Sequence, residues 1–169
     1  MSATVINNIK DLATQVGSLS YTDNGPKTVN KILSDATGKT VSIGTSDSGV
    51  YGTYVKTWSD SCVQVKPTSA WSGQLVSNFI GGRRVLMTKF DGDFGYNNRP
   101  RYLEPANLKI GDALFSYRKT DSYYDYYIYL GDDNMIQISH DKKITLQSAD
   151  AICQKFYGRT VYAVMRPLK

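Results

Sequence analysis

An α+β domain, with helices packed on a mostly antiparallel C-terminal sheet, is what this sequence predicts, and three observations predict it. Residues 4 to 19 set Val5, Ile9, Leu12, Val16 and Leu19 at helical spacing among Asn, Lys, Asp and Gln, the pattern of a helix with one apolar face. From Leu108 to Arg166 the apolar residues instead alternate or run in short segments between turn residues, as strands do. The length of 169 residues suits one domain with its own core. Within it, residues 1–67 read as a helical and short-strand region, and residues 68–169 as the sheet-bearing core.

The elements follow in order. Gly17 is positioned to end the first helix. A second helix is expected from Pro26 to Ala36, with proline in its first turn, Val29, Ile32 and Leu33 on one face, and Gly38 beyond its end. Thr40 to Lys66 is rich in Val, Tyr, Thr and Trp and broken by Gly44, Gly49 and Gly52, which predicts two or three short strands. Leu75, Val76, Phe79 and Ile80, preceded by Thr68 or Ser69 as N-cap and followed by Gly81-Gly82, predict a buried helix. Residues 91–100 read as an exposed loop whose acidic spacing lacks the ligands of an EF-hand. Strands are then expected at 108–117, 123–130, 135–139, 143–146 and 160–166, with a short helix at 148–157.

Composition narrows the function classes. No apolar run is long enough to span a membrane. The net charge of +5 is spread over scattered Lys and Arg, with Arg83-Arg84 and Lys142-Lys143 the tight pairs, so a solvated surface is expected rather than a nucleic-acid patch. Cys62 and Cys153 have no metal-binding spacing, and two unbonded thiols are expected, with no metal or cofactor. The amino terminus lacks a basic segment followed by an apolar core; synthesis in a cytoplasm is expected, with incorporation into a virion as one route out. Thirteen tyrosines, five of them between Tyr123 and Tyr129, suit both strand packing and a recognition surface.

Leu108-Lys109-Ile110-Gly111-Asp112-Ala113-Leu114-Phe115, followed by Ile128-Tyr129-Leu130-Gly131-Asp132-Asp133-Asn134-Met135-Ile136, resembles the NlpC-type family of papain-like cell-wall peptidases. That family has a Leu-x-x-Gly-Asp-Leu-x-Phe strand, then His-x-Gly-Ile-Tyr-x-Gly, a hairpin, and a strand bearing a Met-Ile-His-like triplet. Tyr162 to Pro167 resembles its last strand. The resemblance spans residues 68 to 169, about 60% of the chain, and implies a papain-like fold.

The same resemblance implies lost chemistry. The family nucleophile is a Cys opening a helix in Asp-Cys-Ser-Gly; here Ala70-Trp71-Ser72-Gly73 puts Trp71 in its place. The base His becomes Asp125, the Gly two residues on becomes Tyr127, and the residue that orients the base becomes Gln137. Indole is no nucleophile, and a carboxylate of ordinary pKa is too weak a base to activate one at neutral pH. Trp71, Asp125, Tyr127 and Gln137 are therefore expected to form a degenerate site, either a plugged cleft or an aromatic groove for peptide or glycan. Cys62 reads as a strand residue, Ser72 has only His140 as a base, and His140 reads as solvated in a polar turn. Cys153 lies where lecithin:retinol acyltransferase relatives carry their nucleophile, but lacks their Asn-Cys-Glu-His motif. The expectation is a non-catalytic binding or assembly module with a protein partner, its own copies or a wall polymer such as peptidoglycan; the alternative is a cell-wall hydrolase with an unorthodox site.

Overall fold

The structure, a computed structural model, describes residues 1–52, 74–80, 83–87, 108–118, 122–155 and 161–168, with backbone alone at 74–80, 83–87, 118, 154–155 and 161–163. It is α+β. Helix α1 (Ala3–Gln15) starts where the Ser2 hydroxyl accepts from the Val5 amide, and a short 3-10 turn, Val16–Ser18, continues it. Helix α2 (Gly25–Thr37) is capped by Asn24, whose side chain accepts from the Lys27 amide at 3.0 Å, and ends at Gly38 with φ of 67°. Glycine suits that left-handed position because it has no Cβ to clash.

The strands expected between residues 40 and 52 do not form. Val41 and Ile43 are buried as alternating strand residues would be, but their backbone bonds to α2 side chains. The Val41 amide donates to Ser34 Oγ, the Ile43 amide to Asn30 Oδ1, and Asn30 Nδ2 to the Gly44 carbonyl. Two polar side chains thus satisfy the backbone that a neighbouring strand would otherwise have to pair. Ser46 then caps a one-turn helix, α3 (Asp47–Tyr51). Residues 53–66 lie outside the described residues.

The helix expected over Leu75 to Ile80 is a strand. β1 (Gln74–Ile80) pairs antiparallel with β2 (Arg83–Met87), Ile80 opposite Arg83. A short apolar run does not distinguish strand from buried helix by spacing alone; Val76, Phe79 and Ile80 favour strand, and a Gly-Gly pair between two apolar runs is a hairpin sequence. The helix meant to present Trp71 is therefore absent from 74–80, and Trp71 itself lies outside the described residues.

The remaining elements follow the expected order: β3 (Ala113–Arg118), β4 (Tyr123–Gly131), β5 (Asn134–Ile138), β6 (Ile144–Ser148), α4 (Ala149–Lys155) and β7 (Val161–Arg166). The sheet order is β2-β1-β7-β3-β4-β5-β6, antiparallel throughout. Alternation along each strand splits two cores. Phe115, Tyr126, Ile128, Ile136 and Ile138 face α1 and α2, with Ile9, Val29 and Leu33. Leu114, Tyr127, Met135 and Val164 face α4, with Ile152 and Cys153. Among the described residues no helix is long and apolar enough to cross a membrane.

One ion pair ties β7 to the turn before β3. Asp112 is fully buried and accepts from Arg166 Nε at 2.8 Å and Nη2 at 2.9 Å, and from the Lys109 amide at 2.8 Å. Burial pushes the Asp112 carboxyl up, and the Arg166 guanidinium opposes that shift. Gly111, with φ of 87°, makes the turn that delivers it.

Candidate functional site

Three of the four expected site residues come together on the sheet. Tyr127 on β4 stands opposite Gln137 on β5, and Asp125 lies two residues along β4 on the same face. Tyr127 does not border an open groove: it is 4% exposed within the α4-side core, and its hydroxyl shares a 3.1 Å hydrogen bond with Ser116. Burial pushes its pKa up, the Ser116 bond only partly opposing. At this position the aromatic residue fills space, as a plug would.

His140 is exposed in its polar turn as expected, its side chain 42% open to solvent, but it is also paired with a carboxylate. The Asp125 side chain is only 14% exposed, and its Oδ1 accepts from the His140 amide at 2.8 Å and meets His140 Nδ1 at 2.9 Å. Because a carboxylate only accepts, Nδ1 carries the hydrogen of that bond, which leaves Nε2 as the ring's outward nitrogen. The imidazole also stacks on Tyr123, centroids 3.6 Å apart. His140 does sit in the turn after β5, where the Lys142 amide donates to the Ser139 carbonyl. That turn points the ring back at Asp125.

Of this pair, His140 borders a cleft of about 290 Å³ between the sheet and the start of α2. Tyr21, Gly25, Asp47, Tyr124 and Tyr126 line it together with His140. Tyr126 is 1% exposed and donates from its hydroxyl to Asp47 Oδ1 at 2.8 Å. A Cβ on Gly25 would lie 2.3 Å from Tyr126 Cδ2, so the first residue of α2 is glycine where the ring needs its space. Tyr124 stacks on Tyr117, centroids 4.7 Å apart, and meets Tyr51 edge-on.

Reasoning from sequence missed Tyr21, Gly25, Asp47 and Tyr126 because they are brought together only by tertiary packing. The Asn24-Gly25-Pro26 helix start and the Tyr123–Tyr129 run were the available signals, and neither says that the one meets the other. Cys153 lies on the opposite face, buried and free, its thiol pushed up to about 12 mainly by burial. Cys62 lies outside the described residues. Among the described residues no group of three His, Cys, Asp or Glu side chains is placed to hold a metal.

The buried phenols imply a measurable alkaline limit. Burial raises the pKa of Tyr126 and of Tyr127 from the ordinary 10.0, and that of Tyr124 to about 12. A raised folded value means that the folded state holds these protons more tightly, so the stability is fully present below pH 10 and is lost as pH rises through the folded values. A phenolate absorbance titration is expected to show Tyr126 and Tyr127 ionising only as the fold opens. Complete titration of all thirteen tyrosines with native circular dichroism unchanged is the opposing result.

No protein-family model matches this chain, and no curated protein resembles it closely enough to count as a relative.

Proposed function

We propose that this chain is a non-catalytic binding or assembly module on a papain-like, NlpC-type frame, a component of a larger particle such as a virion, and that it holds its partner at the Tyr-lined cleft. One observation carries the reading. The helix whose first turn meets β4 is α2, and the residue at that junction is Gly25, packed against Tyr126. A cysteine peptidase needs a thiolate at such a helix start, where the helix dipole lowers its pKa. Glycine offers no nucleophile there, and the buried Cys153 faces away with its proton held.

The second reading, a wall hydrolase with an unorthodox site, is favoured by the Asp125–His140 pair. A carboxylate that orients an imidazole is two-thirds of a hydrolytic triad, and the cleft also includes Ser122 and Ser139. Incubation with peptidoglycan and its soluble fragments separates the readings. Retention of fragments without cleavage, unaffected by thiol alkylation, is expected. Turnover that is lost in His140→Ala makes the hydrolase reading the correct one, and turnover lost on alkylation restores the cysteine mechanism.

A further inference from the structure

The sheet ends in a strand whose outer side is open. β6 stands last in the strand order and pairs only with β5. At the two ends of that ladder the Ser139 amide donates to the Lys143 carbonyl and the Ala149 amide to the Asp133 carbonyl, each at 2.8 Å. Bonded pairs recur at every second residue of an antiparallel ladder, so Thr145 and Gln147 direct their backbone groups to β5, and Ile144 and Leu146 direct theirs away from it. Among the described residues these outward groups have no backbone partner. The Val16–Ser18 turn lies beside β6 but makes no backbone bond to it.

The side chains mark the same edge. Leu146 stands opposite the buried Ile136, on the face toward α1, and is 41% exposed. Apart from the terminal Met1 it is the large apolar side chain that the described residues leave exposed. Edge strands are ordinarily guarded against pairing by a charge, a proline or a bulge. Ile144–Ser148 contains no charged residue and no proline, and its register with β5 is unbroken. The strand at the other edge, β2, begins Arg83-Arg84.

We propose that β6 pairs antiparallel with β6 of a second copy of this chain, about a two-fold axis at Thr145. In that register Ile144 and Leu146 of one copy face Leu146 and Ile144 of the other, so every outward N–H of these residues meets an outward C=O. An apolar pair then lies on each side of the axis, with Thr145 opposite its own copy, both favourable cross-strand pairings. The same arrangement brings the Lys142-Lys143 end of each strand beside the Asp150 end of the other, a charge match that a two-fold makes twice. That complementarity of the edge to itself selects a second copy as the occupant. One short edge buries less than the roughly 1,200–2,000 Å² of a standard interface, so the dimer is weak and depends on concentration and salt.

The inference goes beyond the cleft, since no residue of β6 lines it, and the two readings fail separately. Sedimentation of the full chain up to about 1 mM, enough to populate a dimer of millimolar Kd, is expected to show monomer passing to dimer, less so with added sodium chloride. In the dimer the Ile144 and Leu146 amides gain protection from hydrogen exchange. Leu146→Pro removes an outward donor and leaves the bonds to β5 in place; it is expected to weaken the dimer more than tenfold while wall-fragment retention stays unchanged. Where that variant does not fold, Leu146→Lys, a charge at an exposed edge position, decides with the same expected loss. A chain that stays monomeric at about 1 mM, or a dimer that both folded variants leave intact, overturns the proposal. Monomers whose edge amides become protected only with an extended segment of a different protein overturn it as well.

Discussion

Asp112→Ala is expected to lose about 3 kcal/mol or more of folding stability, the largest effect of any single polar substitution among the described residues. Removal of one partner from a buried ion pair costs roughly 3–5 kcal/mol because the other charge stays in a poor solvent. Arg166 is one-fifth exposed at its side chain, so water relieves part of the cost, and the lower end of that range applies. The Lys109 amide also loses its acceptor, which adds to it. For a domain of this size, about 3 kcal/mol corresponds to a melting temperature lower by roughly 6–12 °C. Asp112→Ala combined with Arg166→Met is expected to recover part of the loss, since the double variant leaves no unpaired charge behind. Urea unfolding of the four proteins forms the double-mutant cycle. An alanine variant within about 1 kcal/mol of the parent would show that the pair contributes little, and the tie between β7 and the turn before β3 would have to be sought elsewhere.

That ion pair also shows which parts of the fold the sequence made legible. Gly111-Asp112 stood out as part of a motif, and the reason for both residues is local and physical: a left-handed turn and a buried carboxylate. The strands from β3 to β7 were readable for a similar reason, since period-two alternation separates Phe115, Tyr126 and Ile128 from Leu114, Tyr127 and Met135 on a sheet buried on both faces. Residues 74–80 were misread because Leu75, Val76, Phe79 and Ile80 follow helical spacing over a run too short to exclude a strand, so the flanking Gly-Gly pair and the β-favouring side chains held the deciding information. Val41 and Ile43 failed in another way. Their apolar alternation correctly implied burial, but the pairing partner was a set of side chains on α2, which no local pattern encodes. His140 is exposed in its turn as expected; what the sequence did not show is its bond to Asp125, because a polar turn 15 residues away gives no sign that the hairpin will fold the two together.

Gly25→Ala tests the junction on which the cleft depends, and here two principles predict opposite signs. In an exposed helix, replacing glycine by alanine stabilises by roughly 0.5–1 kcal/mol, because the unfolded chain loses freedom. At Gly25 the new methyl would sit 2.3 Å from Cδ2 and 2.5 Å from Cε2 of Tyr126, distances at which the ring has to move. The ring is not free to do so. It is buried, packed beside Phe115, and tethered through its hydroxyl to Asp47. Overpacking of this kind costs roughly 1–3 kcal/mol, and displacement of the ring also loosens a hydrogen bond to a charged acceptor worth roughly 1.5–3 kcal/mol. The steric and hydrogen-bond losses exceed the gain in propensity, so a net destabilisation of about 2–4 kcal/mol is expected. Tyr126→Leu in the same background removes the clash and should make Gly25→Ala neutral or mildly stabilising, a change of sign that denaturant unfolding can read directly. If Gly25→Ala stabilises the parent chain, the α2 start does not press against Tyr126, and with that contact goes the helix junction from which the non-catalytic reading is argued.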